Sequence, residues 1–136
     1  MTRERSFALS VVTPEGAVLE TDAVSVVFPA FDGEYGILPN HAPLVTLLGI
    51  GELRVERAGG GRDRFYVDGG FAQFADNKLS LLTEQARRVA DLEPGLPERL
   101  LEEARHMPTH DADATAARQA AFQRAWVQKR LAARSN

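Results

Sequence analysis

The pattern of apolar residues changes at positions 91–97, and this change limits the folds open to the chain. The segment Asp-Leu-Glu-Pro-Gly-Leu-Pro holds two prolines and a glycine within seven residues. Before it, short apolar runs alternate with turn residues at intervals of about 8–12 residues, as in sandwiches and barrels. After it, apolar residues recur with helical spacing. We therefore predict an N-terminal antiparallel β-sandwich over residues 1–90, a linker over 91–97 and a C-terminal two-helix antiparallel hairpin over 98–136.

The first part consists of short runs rich in strand-forming residues. Strands are predicted at 7–12, 17–20, 24–28, 44–48, 53–57, 64–68, 71–75, 79–83 and 86–89, with a glycine hairpin connection at 58–61 and a tight hairpin turn at 76–78. Pro29 should end the third of these runs, because proline lacks the N–H that a ladder needs. The pair Gly69-Gly70 lacks the Lys-Ser/Thr of a phosphate loop, so it predicts a bend where strands pack closely. The arginines of the last, edge strand should face solvent.

The second part predicts two helices. Apolar residues fall on one side of a first helix that Pro97 begins and Pro108 ends: Leu96, Leu100, Leu101, Ala104 and Met107. A second helix, capped by Asp113 or Thr115, should run to about Arg134 without glycine or proline. Such a hairpin is too small to hold its own core, so it must rest on the sandwich or on another protein.

The composition excludes several classes of function. The chain has 136 residues, a formal net charge of −3 and no cysteine, so disulfides and thiolate metal sites are excluded and a general nucleic-acid binder is disfavoured. Its histidines, at 41, 106 and 110, are too scattered for a metal site. No apolar run approaches the ~20 residues that span a bilayer. We expect a soluble, cytosolic protein that reaches a membrane only through a partner.

The most distinctive stretch is 32–44, Asp-Gly-Glu-Tyr-Gly-Ile-Leu-Pro-Asn-His-Ala-Pro-Leu. Its glycines permit unusual backbone angles, and its prolines at 39 and 43 prevent a central strand, so it predicts a tight loop. Apolar residues 37, 38 and 44 should anchor this loop in a core. The groups left for display are Glu34, Tyr35, Asn40 and His41. Because no nucleophile motif or carboxylate pair accompanies His41, it is predicted to be a structural or interface residue.

This loop resembles the signature loop of the epsilon subunit of bacterial F-type ATP synthases. The motifs Thr-Pro-Glu-Gly at 13–16, Asp-Gly-Gly-Phe at 68–71 and Asn-Lys-Leu-Ser-Leu-Leu at 77–82 fit the same family. The resemblance implies a non-catalytic rotor subunit of the proton-translocating complex, on the cytoplasmic face of the bacterial plasma membrane. It would couple ion flow through the c ring to ATP synthesis by binding the gamma subunit and the c ring. The implied rotor contacts are Glu34, Tyr35, His41, Ala42 and Pro43.

The resemblance also implies that the hairpin can extend into the alpha/beta catalytic head and restrain ATP hydrolysis. The implied contacts are Arg118, Phe122, Arg124, Trp126 and Arg130. From the residues themselves, the aromatic pair 122/126 in a basic helix is either covered by the sandwich or forms a partner surface. The linker residues Glu93, Pro94 and Gly95 are the predicted hinge.

Some members of the family bind ATP on the hairpin through a motif of Ile or Leu, Asp, two spacers, Arg and Ala. Here Glu93, Leu96 and Pro97 stand where the motif has Asp, Arg and Ala. Because the guanidinium that would meet a phosphate is missing, we predict weak or no ATP binding and no cofactor. Two alternatives stay open from the residues alone. One is a stand-alone β-sandwich adaptor with a helical docking tail, and the other is a small hydrolase using His41.

Overall fold

A computed structural model describes residues 5–93 and 95–133 of the chain. Its contacts divide the chain into two compact units, Met1–Arg88 and Val89–Asn136. The first unit contains the strands and the second contains the helices. The boundary lies two residues before the end of the predicted sandwich segment.

The described part of the first unit forms nine strands in one continuous sheet. They are β1 (Phe7–Thr13), β2 (Gly16–Ala30), β3 (Gly33–Ile37), β4 (Leu44–Leu47), β5 (Ile50–Arg57), β6 (Arg62–Asp68), β7 (Phe71–Ala75), β8 (Lys78–Leu82) and β9 (Ala86–Arg88). The strand order is β4-β7-β8-β1-β2-β5-β6-β9, and β3 pairs with β2 beside this path. The predicted fold class is confirmed with one difference, since β1 and β8 run parallel. They are far apart in sequence, so no hairpin turn dictates their direction.

The sheet folds over a single apolar core. Phe7 of β1 meets Phe74 of β7 edge to face, with ring centroids 5.7 Å apart. The alternating burial of β1 matches the period of two expected for a strand with one face inside. Both ends of the strand order contribute to this core, which is why the sheet forms a sandwich. Its buried members include Leu9, Val11, Val26, Phe28, Ile37, Leu53, Val55, Phe65, Val67, Leu79 and Leu81.

Two boundaries predicted within β2 are wrong. The runs at 17–20 and 24–28 form one strand, β2, because Thr21 and Asp22 pair with β1. Pro29 does not end it, since the strand continues to Ala30. Proline is tolerated at this position because the ladder between β2 and β5 ends at Val27. The ring instead packs over Gly51, where an added Cβ would lie 2.8 Å from the proline Cβ.

The predicted loop at 32–44 is also partly strand. Gly33–Ile37 forms β3 and pairs with the end of β2. Leu38 was expected to anchor the loop, but it is 62% exposed, whereas Ile37 is fully buried. Ile37 is the last residue of β3 and belongs to the core, whereas Leu38 lies just beyond the strand. Leu44 packs partly against the core, as expected.

The predicted turns agree with the structure. Asp76 and Asn77 have φ values of 53° and 57°, as a two-residue hairpin turn requires. Gly70 has φ of 104°, and an added Cβ there would overlap the carbonyl oxygen of Leu82. The Gly69-Gly70 pair is therefore a bend at close strand packing. Glycines also connect β5 and β6.

The second unit contains a 3₁₀ turn (Val89–Asp91) and two helices, α1 (Leu96–Arg105) and α2 (Ala112–Ala133). Pro97 lies in the first turn of α1, as predicted. The predicted cap of α2 is wrong. The cap is Asp111, whose Oδ1 accepts a hydrogen bond from the N–H of Ala114 at 2.7 Å. A capping residue lies just before the first helical turn, and Asp111 directly precedes Ala112, the first residue of α2. The predicted end of α2 at Arg134 lies outside the described residues.

Candidate functional site

The first half of the predicted loop is held by contacts from the sheet. Glu34 and Tyr35 both lie on β3 and are exposed. The Tyr35 ring stacks on Phe28 with centroids 5.7 Å apart and an interplanar angle of 9°. The Glu34 carboxylate lies 3.2 Å from the guanidinium of Arg54. These two side chains are therefore displayed in defined orientations.

The second half of the loop is fastened to the β7–β8 turn. Asn40 has φ of 65°, and its N–H donates to Oδ1 of Asn77 at 2.8 Å. Nδ2 of Asn77 in turn donates to the carbonyl oxygen of Ser6 at 2.9 Å. One side chain thus joins the loop, the turn and the segment before β1. From the sequence, Asn77 was predictable only as a turn residue.

His41 is held locally. Its Nδ1 lies 2.7 Å from the carbonyl oxygen of Ala42, so this nitrogen carries the proton and donates. The ring also contacts Phe74 edge to face, with centroids 5.9 Å apart. Ala42 and Pro43 beside it are exposed. These contacts fix the imidazole against the sheet.

A charged cluster that the sequence analysis missed lies next to Glu34. Glu52 of β5 is buried, and its carboxylate lies 2.5 Å from Nε of Arg64 and 3.2 Å from Nη1 of Arg54. Arg54 and Arg64 are direct partners across the β5–β6 ladder. Like charges in such positions repel, so the carboxylate of Glu52 is needed between them. The hydrogen bond to Glu34, followed by that to Glu52, raises the pKa of Arg54, although burial opposes the shift.

The outer face of the sandwich carries an exposed apolar row that the sequence analysis did not single out. Leu47 of β4 lies opposite Phe71 of β7, and Phe71 lies opposite Leu82 of β8. These residues are 60%, 41% and 41% exposed, respectively. Val45, two residues before Leu47 on β4, is also exposed. We call Leu47, Phe71 and Leu82 the apolar row. The available sequence signal was alternation along the strands. In β4, β7 and β8 every second residue faces the core, and Leu47, Phe71 and Leu82 occupy the other positions.

On α2, aromatic rings are paired with cations. The guanidinium of Arg118 lies 4.8 Å from the centroid of Phe122, and Nζ of Lys129 lies 5.2 Å from that of Trp126. Trp126 is 56% exposed. Phe122 is half-buried. The remaining predicted contact residues of this helix, Arg124 and Arg130, are exposed.

In the predicted hinge, Glu93 and Gly95 are exposed, and Pro94 lies outside the described residues. The Glu93 carboxylate lies 3.5 Å from the guanidinium of Arg99. Leu96 and Pro97, which replace the arginine and alanine of the ATP motif, form the first turn of α1. Among residues 5–93 and 95–133, no group of three or more potential ligands could hold a metal ion. No helix within these ranges is long and apolar enough to cross a membrane.

Comparison with known proteins identifies the family. Residues 6–89 match the family model described as ATP synthase, Delta/Epsilon chain, beta-sandwich domain. The chain belongs to this family. The resemblance inferred from the loop is thus confirmed, and the match includes all nine strands. The helices lie beyond it.

Individual members of the family show how far the similarity extends. The ATP synthase epsilon chain of Nitratidesulfovibrio vulgaris is 43% identical over 90 residues, which are 66% of each chain. That of Rhodopirellula baltica is 39% identical over 120 residues, 88% of this chain and 93% of its own. A chain in the cryo-EM structure of the Euglena gracilis mitochondrial ATP synthase, OSCP/F1/c-ring, has a TM-score of 0.77 and 25% identity. That match covers 88% of this chain and 79% of the other chain.

Proposed function

We propose that this chain is the non-catalytic rotor subunit in the central stalk of a bacterial F-type ATP synthase. It would bind the gamma subunit and the c ring and so couple ion flow to ATP synthesis. The observation that carries this proposal is the family match over residues 6–89, because that segment includes the loop and the apolar row. The match favours the rotor subunit over a stand-alone adaptor, which would explain the two-part pattern but not the specific loop.

The apolar row is the surface we assign to gamma. A rotor subunit must hold gamma through full rotations, so this contact should be the more permanent of its two interfaces. Permanent interfaces bury apolar and aromatic side chains at their centres. Leu47, Phe71 and Leu82 adjoin one another across three strands and provide such a centre.

The loop is the surface we assign to the c ring. Its displayed groups are polar and are already held in place by Phe28, Arg54, Asn77 and Phe74. A pre-organised loop loses little conformational freedom on binding, so more of its contact energy resists slipping. Glu34, Tyr35, His41, Ala42 and Pro43 form this contact.

The hairpin is the regulatory element in this proposal. When extended, α2 would enter the alpha/beta catalytic head and restrain ATP hydrolysis through Arg118, Phe122, Arg124, Trp126 and Arg130. The exposed Trp126 inside a basic helix supports a protein partner with an acidic groove. The hinge is at Glu93, Pro94 and Gly95. ATP binding to the hairpin is weak or absent, because Leu96 and Pro97 replace the motif's arginine and alanine.

This assignment places the chain at the cytoplasmic face of the bacterial plasma membrane, attached through the complex. Isothermal titration calorimetry with the full chain tests the nucleotide part of the proposal. Tight, saturable ATP binding would contradict it.

Binding to gamma is tested by co-expression with the cognate gamma subunit and size-exclusion chromatography. The wild-type chain should elute as a one-to-one complex. The double variant Phe71→Ser/Leu82→Ser should weaken gamma binding by at least roughly tenfold, since central apolar residues dominate interfaces. Arg62→Ala, on a strand outside the apolar row, is the matched control and should bind normally. A wild-type chain that forms no complex would refute the rotor assignment, and a double variant with unchanged affinity would refute the assigned surface.

Inhibition is tested in the assembled enzyme. The triple variant Arg118→Ala/Arg124→Ala/Arg130→Ala should increase ATP hydrolysis, because it removes the cations that would meet the acidic groove. Arg105→Ala changes an exposed arginine of α1 and is the control. Hydrolysis rates that are equal in wild type and triple variant would remove the regulatory role from these residues.

A further inference from the structure

We infer that Arg54 is a positioning residue that holds the Glu34 carboxylate in the orientation met by the c ring. The inference rests on the proposed function, because it adds a supporting residue to the assigned loop contact. Nη1 and Nη2 of Arg54 lie 3.2 and 3.4 Å from the two carboxylate oxygens of Glu34. Both oxygens are therefore engaged by one guanidinium, which restricts rotation of the carboxylate.

The sheet brings these two residues together although they are twenty positions apart. Arg54 on β5 and Gly36 on β3 both pair with Val27 of β2, one from each side. Glu34 lies two residues from Gly36 on β3, so its side chain is on the same face. Arg54 can therefore reach across β2 to Glu34. This contact depends on the register of both ladders.

Arg54 is itself held by a second carboxylate, that of Glu52. Its Nη1 also lies 3.2 Å from Oε1 of Glu52, which is buried and bound on its other side by Arg64. An isolated exposed ion pair loses much of its benefit through side-chain ordering. Here the second contact already restrains Arg54, so less ordering remains for the pair with Glu34. The four groups, Arg64, Glu52, Arg54 and Glu34, alternate in charge, and the buried Glu52 lies between the two arginines.

Glu34, the exposed last member of these four charged groups, suits a partner that donates hydrogen bonds. The Glu34 side chain is 57% exposed, and a carboxylate accepts about four hydrogen bonds. Arg54 takes two of these positions and leaves the others directed outward. A lysine, arginine or amide group on the c ring is the matching chemistry. Because the carboxylate is already oriented, binding requires little further ordering.

A double-mutant cycle tests the inference with full-length chains and a purified gamma–c-ring complex. The variants are Arg54→Gln, Glu34→Gln and the two combined. We expect Glu34→Gln to weaken ring binding, and Arg54→Gln to weaken it by roughly three- to tenfold. The combined variant should be no weaker than Glu34→Gln alone, because Arg54 acts through Glu34. Arg54→Lys keeps the charge but loses the two-pronged geometry, so it should give an intermediate loss.

Thermal melting of each isolated chain separates positioning from folding, and Arg62→Gln is the control, with an exposed partner 3.9 Å away. Equal losses from Arg54→Gln with and without Glu34 would overturn the inference, because the arginine would then act independently. A normal affinity for Arg54→Gln beside a weakened Glu34→Gln would also overturn it while leaving the proposed function intact. If Glu34→Gln binds the ring normally, the loop assignment fails and the inference fails with it.

Discussion

Replacing Asp63 by Asn should destabilise the sandwich. Asp63 is 3% exposed, and its carboxylate lies between two arginines. Arg57 donates to both of its oxygens at 2.6 Å, and Nη1 of Arg88 donates to Oδ1 at 2.8 Å. Arg88 also lies over the Phe65 ring, 4.8 Å from the centroid. Although Arg88 stays partly accessible, as predicted for the edge strand, its guanidinium thus joins β9 to β6.

The magnitude follows from the pKa of Asp63. Hydrogen bonds from Arg57, and secondarily from Arg88, lower this pKa from 3.8 to about 2, although burial opposes the shift. This difference corresponds to about 2 kcal/mol of stabilisation at neutral pH. Because the pKa is lower in the folded state, the stabilisation is fully present above the unfolded value of 3.8. It falls to roughly half near pH 3 and is mostly lost by pH 2.

Urea denaturation of the wild-type chain and of Asp63→Asn, followed by circular dichroism at pH 7 and pH 3, measures this contribution. At pH 7 the variant should be about 2 kcal/mol less stable, or roughly 6–12 °C lower in Tm. The difference between the two proteins should shrink at pH 3. Glu56→Gln, which changes an exposed partner of Arg62 at 3.9 Å, should leave stability unchanged. A stability difference that stays constant from pH 7 to pH 3 would refute the reasoning.

Three other substitutions test local features. Gly70→Ala should cost about 3 kcal/mol, because the added Cβ would overlap the last carbonyl of β8, whereas Gly59→Ala meets nothing within 4 Å. Equal Tm values for these two variants would contradict the steric argument. Gln128→Leu should raise the free energy of unfolding by about 1 kcal/mol. Gln128 is 5% exposed, and its Oε1 has no hydrogen-bond partner among the described residues. A lower Tm for this variant would disprove the argument. Asp111→Ala should destabilise α2 by about 1 kcal/mol and more than Asp113→Ala does, as measured by thermal circular dichroism. The reverse order would restore Asp113 as the cap.

Local sequence signals predicted the elements whose cause is local. The switch at residues 91–97 separated strands from helices, and Pro97 marked the start of α1. The Asp76-Asn77 turn has the positive φ angles that its hairpin needs. Errors arose where pairing with a distant strand overrode a local signal. The break expected at Thr21-Asp22 is absent because β1 pairs with both residues. Pro29 lies beyond the ladder that it would have interrupted.

The candidate site also has a part that local sequence signals predict and a part that depends on distant strands. The spacing of glycines, prolines and polar residues at 32–44 was enough to single out this segment with its Glu34 and His41, because these properties belong to consecutive residues. It did not show that the first half of the segment is a strand, because β3 depends on pairing with β2. The residues that hold the loop were not predictable: Arg54 and Asn77 lie 20 and 37 positions away from their partners Glu34 and Asn40. Such contacts depend on strand register and sheet order, and a shift of one residue would turn each side chain to the opposite face. Local backbone preferences depend on consecutive residues, so the sequence by itself determines them. The contacts between distant charged residues and the exposure of the apolar row are decided only by the tertiary structure, because they require the sheet to fold around its core.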